Sequence, residues 1–349
     1  MHINQSTAAI LVEIKQPLKI EAVSLPESLD FGQVLVKLIT SGICGAQINE
    51  IDGVKGPDNY LPHLLGHEGF AEVIDFGPGV QKVNVGDHVV LHWRPGSGTQ
   101  SKTPKYTIEN TIVNAGWVTT FNEYAVVSEN RITKVPKDSD PYFAPLLGCA
   151  LTTALGVLEN DARISHRDIL LIVGFGGVGL AILQFAQYLG VRKIIVLDKD
   201  ASKRDLALKF GSVEFISADN KEDAKRQLQG SINVLGMPTV AVETTGNTGL
   251  IELAYEITTE TGRVILVGVP RLGEKTSIYT LPLHFGKTLT GSKGGGSNPE
   301  IDIPFINRLV DEGLISSENF PVQIFPFKDI NLAIERLRHG INGRIVLEF

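Results

Sequence analysis

Two groups of residues in the chain have the types and spacing to do chemistry. The first is Cys44, His67 and Cys149, set in Ser41-Gly42-Ile43-Cys44-Gly45, Gly66-His67-Glu68-Gly69 and Gly148-Cys149. Two thiolates and an imidazole, with the neighbouring carboxylate of Glu68, can make a tetrahedral site, and a Cys2His set with an exchangeable fourth position is a catalytic zinc pattern. These are the only two cysteines of the chain. In a reducing compartment they have no structural disulfide to form, and buried inert thiols are the competing reading. Sequence separation alone does not bring the three side chains together.

The second group is Gly174-x-Gly176-x-x-Gly179, with Gly177 and Val178 inside it, followed by Asp198. Ile169 to Val173 is a short apolar run bounded by glycine, which predicts a buried parallel strand. Val178, Ile182, Phe185, Ala186 and Leu189 then fall on one helix face, and Gly190 supplies a stop. A second apolar run, Ile194 to Leu197, ends in Asp198. In such a unit the glycines allow a tight turn, close approach to a pyrophosphate and helix–strand contact. The helix N-terminus offers free N–H groups to the anion, and the acid accepts from the adenosine ribose. The glycine pattern is weak by itself and gains its meaning from the strand, helix and acid around it. Residues 169–191 are uncharged, but the glycines, Gln184 and Gln187 argue against about 20 lipid-facing residues.

The elements that must position these groups divide the chain. At 349 residues it is long enough for two domains. To about residue 137 the apolar runs are short and broken by glycine and proline: Ala8–Val12, Gln33–Thr40, Phe70–Phe76, His88–Leu91 and Tyr124–Val127. This predicts an all-β, barrel-like domain without a helix of any length. Residues 94–116 read as a long surface excursion. From Pro141 to Glu159 the pattern is helical, and strands at Val213–Ile216, Val240–Glu243, Arg263–Val267 and Thr288–Thr290 complete six parallel strands, enough for a doubly wound sheet. The chain leaves this domain near Gly291–Gly296, read as a flexible run. The expected division is 1–150, 151–293 and a return segment, 294–349, that rejoins the first domain. Hydrophobic content of 43% and charge of 20% suit a soluble globular chain, and a net charge of −7 disfavours nucleic acid or an anionic membrane surface as partner. The N-terminus shows no secretory signal, so the cytoplasm is the expected compartment.

Ser-Gly-Ile-Cys at 41–44, Gly-His-Glu-Gly at 66–69, Gly-Asp-His-Val at 86–89 and Gly-Cys-Ala-Leu-Thr-Thr-Ala at 148–154 are joined by the glycine turn at 174–179 and Val-Gly-Val-Pro at 267–270. In this order they resemble the zinc-dependent medium-chain dehydrogenase/reductase superfamily, the alcohol and polyol dehydrogenase family, over essentially the whole chain. The resemblance implies an α/β fold, a six-stranded doubly wound parallel (Rossmann) sheet plus an all-β GroES-like barrel catalytic domain. It implies Cys44, His67 and Cys149 as zinc ligands, with Glu68 able to enter the fourth position. For NAD it implies Thr153 against the nicotinamide, Asp198 with Lys203, and Lys199 nearby, at the ribose, and Val267, Gly268 and Val269 beside the carboxamide. It also implies a homodimer or homotetramer associating through the sheet edge near Arg263–Val267, with a small molecule as substrate. A Lewis-acid zinc that acidifies a hydroxyl leaves the carbinol hydrogen free to pass to the nicotinamide.

Two departures stand out. Residues 94–116 lack the cysteines with which many relatives bind a structural zinc, so one catalytic zinc per chain is expected. After Cys44, where relatives carry a hydroxyl, an aspartate and often a histidine, this chain has Ala46, Gln47 and Asn49. Alanine cannot relay a proton, and glutamine does not orient a histidine as a carboxylate does. The proton acceptor is then a zinc-bound water or Glu68, a group such as His92 or Tyr106, or the reaction is a different one. His92, Trp93 and Arg94 occupy the substrate-lining place. Arginine pairs with carboxylate or phosphate, so the expected substrate is a polar secondary alcohol or ketone: a sugar, cyclitol or polyol derivative. Asp198 repels a 2′-phosphate and favours NAD. The alternatives are a metal-free reductase of the same superfamily and a non-catalytic dinucleotide-binding protein. His63 and His88 read as packing or surface histidines.

Overall fold

The computed structural model describes residues 3–211 and 213–349. Its strands assemble into two units: one reaches to Cys149 and takes back Asn298–Arg308 and Pro321–Phe349, the other comprises Ala150–Ser297 and Leu309–Phe320.

In the first unit Gln5–Leu11, Lys19–Ser24, Lys105–Ile108, Thr111–Asn114 and His63–Leu64 close a small barrel. Beside it runs a sheet centred on the long strand Gln33–Ile43, which pairs with Gly69–Phe76, Tyr124–Ser128 and Arg344–Glu348. That strand is buried on both faces. Val34, Val36 and Leu38 pack with Ala71, Val73, Val89 and Leu91, while Leu35 turns to the barrel side with Tyr106 and Val126. Alternating side chains thus fill two cores at once, and the strand has little freedom to slip. Cys44 sits just past its end.

The second unit is the expected parallel sheet. Its strands β1 (Ile169–Val173), β2 (Lys193–Asp198), β3 (Val213–Ser217), β4 (Val240–Glu243), β5 (Arg263–Leu266) and β6 (Thr288–Gly291) lie in the order β3-β2-β1-β4-β5-β6. Helix α1 (Gly177–Tyr188) leaves the turn after β1. The strand order reverses between β1 and β4, the place where open sheets of this kind bind ligands. No helix among the described residues is long and apolar enough to cross a membrane.

Several expectations are corrected. A helix, Gly45–Ile51, stands in the first unit; it is short, and its buried side chains are only Gln47 and Ile51, so no apolar period announced it. The excursion at 94–116 is partly folded: Lys105–Ile108 and Thr111–Asn114 form a hairpin of the barrel, with Tyr106 fully enclosed. The sheet edge is β6, because β5 is hydrogen-bonded on both sides. Leu309–Phe320, expected with the first unit, groups with the second, where Leu309, Ile315 and Phe320 are buried and Gln184 donates to the Asn319 carbonyl at 3.2 Å.

The glycine run is not a flexible linker either. Gly294 and Gly295 are buried, the Gly295 carbonyl accepts from Asn160 at 2.8 Å, and a Cβ on Gly295 would lie 2.3 Å from the Val157 nitrogen. The run is glycine so that two backbones can touch. With φ at +66°, Gly295→Ala adds left-handed strain to that clash, and we expect a loss of about 2–4 kcal/mol in the unfolding free energy measured by denaturant titration.

Candidate functional site

Each of the three metal-donor side chains is delivered by a different element. Cys44 is the N-cap of helix Gly45–Ile51, its Sγ accepting the Ala46 N–H at 3.4 Å. His67 lies in the extended stretch leading into strand Gly69–Phe76. Cys149 sits on a widened, π-type turn, Leu147–Leu151, inside a helical run; such turns re-aim single side chains and recur at functional sites. The three donor atoms lie within 4.8 Å of one another, and His67 Nε2 is 3.4 Å from Cys44 Sγ and 3.3 Å from Cys149 Sγ. A tetrahedron built on bonds of about 2.3 Å to sulfur and 2.0–2.1 Å to nitrogen has edges of about 3.5–3.8 Å, so the set fits one zinc ion with little movement.

The charges fit too. Cys44 is held well below the usual thiol range, chiefly by its hydrogen bond with Cys149 and further by the His67 and Arg344 charges, against the cost of burial. Cys149 is pushed well above it, by that same hydrogen bond and by burial. One proton shared between two sulfurs is what a divalent cation would replace. His67 is raised: burial opposes its charge, and the Cys44 thiolate outweighs burial.

Glu68 is fully buried and is not one of the three converging donors. It forms an ion pair with Arg344, which arrives on the returning strand Arg344–Glu348. Gly148 makes room for this arrangement, since a Cβ there would sit 2.2 Å from the Leu91 carbonyl and 3.2 Å from the Glu68 backbone.

Gln47, read from sequence as a lost orienting group, is 1% exposed and its amide meets His67 Nδ1. One turn on, Ala46 and Glu50 share an exposed face of the helix, and Glu50 is close enough to His67 and His63 for their charges to interact. Crowding by the protein raises the Glu50 carboxyl, the two imidazoles and Lys55 opposing. Glu50 carries no motif, and only the helix it sits on could have singled it out.

In the second unit the fingerprint glycines divide their work. Gly174, at φ +91°, has Thr244 Oγ1 2.4 Å from where a Cβ would be, and at Gly179 a Cβ would meet the Gly174 carbonyl at 2.1 Å. At Gly176 a Cβ would meet nothing within 4 Å, which leaves the N-terminus of α1 open to a ligand. Gly177 and Val178 begin that helix, whose cap carries no side-chain hydrogen bond. Asp198, at the end of β2, accepts from Phe175 N at 2.6 Å, Asp200 N at 2.9 Å and Lys203 Nζ at 3.0 Å. Lys199 is on the exposed side of the same turn, and Thr153 is buried on the segment Thr152–Gly156. Val267, Gly268 and Val269 follow β5, and a Cβ on Gly268 would strike Gly246 N at 2.1 Å. That turn is braced by Glu243, a fully buried carboxylate accepting from Thr245 N at 2.7 Å and Gly246 N at 3.0 Å; in sequence it is only the last residue of an apolar strand.

Of the residues expected to line a substrate pocket, Trp93 and Arg94 are half-buried, with the guanidinium 5.6 Å from the indole centroid. His92 and Tyr106 are corrected. His92 is fully buried, Nδ1 donating to the Arg94 carbonyl at 2.6 Å and Nε2 facing Thr133 Oγ1 at 3.0 Å, and Tyr106 Oη accepts from Val126 N at 2.8 Å in the barrel core. Neither can relay a substrate proton.

Burial pushes His92 down to about 4, against the bond to the Arg94 carbonyl. The fold therefore binds its proton less readily than the unfolded chain, whose histidine titrates near 6.5. The stability this gives is complete above about pH 6.5 and is lost as pH falls toward 4. Between pH 7 and 5 the His92 share of that loss is about 2 kcal/mol, and His92→Gln should flatten the pH dependence of the unfolding free energy by that amount.

Residues 30–137 match the alcohol dehydrogenase GroES-like domain and residues 177–308 match the zinc-binding dehydrogenase family. The S-(hydroxymethyl)glutathione dehydrogenase of Haemophilus influenzae is 28% identical, across 99% of this chain and 97% of its own, and that of Synechocystis sp. is 27% identical, across 99% and 100%. Among solved structures, benzyl alcohol dehydrogenase from Acinetobacter calcoaceticus superposes with a TM-score of 0.85 at 25% identity, covering 99% of this chain and 100% of that one. An alcohol dehydrogenase zinc-binding domain protein from Burkholderia ambifaria gives 0.86 at 26%, covering 99% of each. The cofactors of the present chain are a catalytic zinc, held by Cys44, His67 and Cys149, and NAD. Fold, metal donors and relatives agree, and the chain belongs to the zinc-dependent medium-chain dehydrogenase/reductase superfamily, within its alcohol dehydrogenase family.

Proposed function

We propose that the protein oxidises a polar secondary alcohol of the sugar, cyclitol or polyol type, and reduces the matching ketone, with NAD as hydride carrier. The convergence of Cys44, His67 and Cys149 on one point carries the reaction type. When bound, zinc supplies Lewis acidity toward the substrate oxygen, and NAD takes the hydride. The chain's own residues do the rest. The two thiolates and the imidazole hold the ion, and Arg344 keeps the Glu68 carboxylate engaged beside it. With His92 and Tyr106 enclosed, a metal-bound water or Glu68 is left to take the hydroxyl proton.

The substrate class rests on Trp93 and Arg94, an aromatic face and a guanidinium suited to polar or anionic groups. Asp198 and Lys203 take the adenosine ribose, with Lys199 beside them, and the Asp198 carboxylate disfavours a 2′-phosphate. Gly174, Gly176, Gly177, Val178 and Gly179 receive the pyrophosphate, while Thr153 and Val267 to Val269 flank the nicotinamide. A reducing compartment such as the cytoplasm keeps both thiols available to the metal. Association into a homodimer or homotetramer through β6 is supported by Tyr279, Leu281 and Phe285, exposed just before that edge strand.

The zinc-loaded protein with NAD should form NADH over a panel of sugars, cyclitols and polyols faster than with simple alkanols, with benzyl alcohol and S-(hydroxymethyl)glutathione included for comparison. Turnover confined to unsubstituted alkyl alcohols would overturn the substrate class, and no turnover at all would favour a non-catalytic dinucleotide-binding protein. Asp198→Ala should raise the NADP-to-NAD ratio of kcat/KM by roughly tenfold or more, one like-charge repulsion being worth at least about 1.4 kcal/mol there; a wild-type preference for NADP would contradict the assignment.

A further inference from the structure

Gln47 is buried against His67 with its amide nitrogen toward Nδ1, and its amide oxygen has no hydrogen-bond partner among the described residues. In that orientation Nδ1 accepts, so the ring proton sits on Nε2, facing the two sulfurs. A metal at this point needs the opposite tautomer: a lone pair on Nε2 and a proton on Nδ1. Half a turn of the amide exchanges its oxygen and nitrogen in nearly the same space, turning Gln47 from donor to acceptor; the oxygen gains the imidazole N–H as partner and the NH2 takes over the unpartnered end. A carboxylate at this position can only accept.

We propose that Gln47 is the positioning residue of the metal centre. Its amide serves both tautomers of His67, fixing the Nε2 lone pair on the ion when metal is present. As a neutral acceptor it leaves the ion with more uncompensated positive charge than a carboxylate would. Three features support this role: the contact to Nδ1, the closure of Nε2 on both sulfurs at 3.3–3.4 Å, and the partnerless amide oxygen. The inference rests on the zinc reading of the site.

Two variants separate electronic positioning from mere packing. Gln47→Glu keeps the shape and adds a charge, and Gln47→Leu removes both hydrogen-bonding functions. Zinc dissociation constants measured by chelator competition should move in opposite directions: about tenfold tighter in Q47E, and about 10–100-fold weaker in Q47L. Affinity of the zinc-loaded protein for azide, an anion directed to the metal, should fall about tenfold or more in Q47E, one added charge acting through an effective dielectric of about 20. If both variants shift zinc affinity the same way, or Q47L binds zinc as the wild type does, Gln47 is a packing residue and the proposal fails. If the wild type itself binds no stoichiometric zinc, the reading of the site fails first, and this inference with it.

Discussion

Two thiols and an imidazole held within 4.8 Å of each other in a buried place are an arrangement that the protein must stabilise against itself. Fully ionised, the sulfurs repel; fully protonated, they offer no ligand. The split acidity of Cys44 and Cys149 is the compromise the chain reaches alone, and a divalent cation resolves it. Much of the first unit can be understood as the scaffold for that compromise. Strand Gln33–Ile43 is locked by two cores and ends at Cys44. The return strand brings Arg344 to pair with Glu68, and Gly148 lets the Cys149 turn close on the same spot. The Glu68–Arg344 pair is weak evidence for stability, since burying two charges costs about as much as their attraction returns, but losing one partner would strand the other.

The second unit solves a different problem with the same economy of side chains. Pyrophosphate recognition is left to backbone N–H groups, so the decisive feature at Gly176 is the lack of a Cβ, while Gly174 and Gly179 are glycine because neighbouring atoms leave no room. Asp198 is held by two backbone N–H groups and Lys203 before any ribose arrives, so its carboxylate is preorganised at the end of β2.

What was legible in the sequence is what chemistry constrains to particular residue types at short spacing. The donors, the glycine turn with its acid, and strands with a clear apolar run all appear near their expected positions, from His88–Leu91 and Val240–Glu243 to the full parallel sheet. The illegible features depend on burial by distant segments. His92 and Tyr106 look like chemistry in a list of residues, yet both are sealed in by strands far away in sequence. Glycines 294–296 look like a linker until Gly156 is placed against them. Gln47 looks like a loss until the helix carrying it is seen to aim it at His67.

Everything in the site depends on Cys44, Cys149 and His67 sharing one zinc ion. Zinc-edge X-ray absorption on the purified protein reads that shell directly. It should show two sulfurs at about 2.3 Å and one imidazole nitrogen at about 2.0–2.1 Å, plus one light-atom ligand, at one ion per chain. A shell of nitrogen and oxygen only, or no stoichiometric zinc, would contradict it.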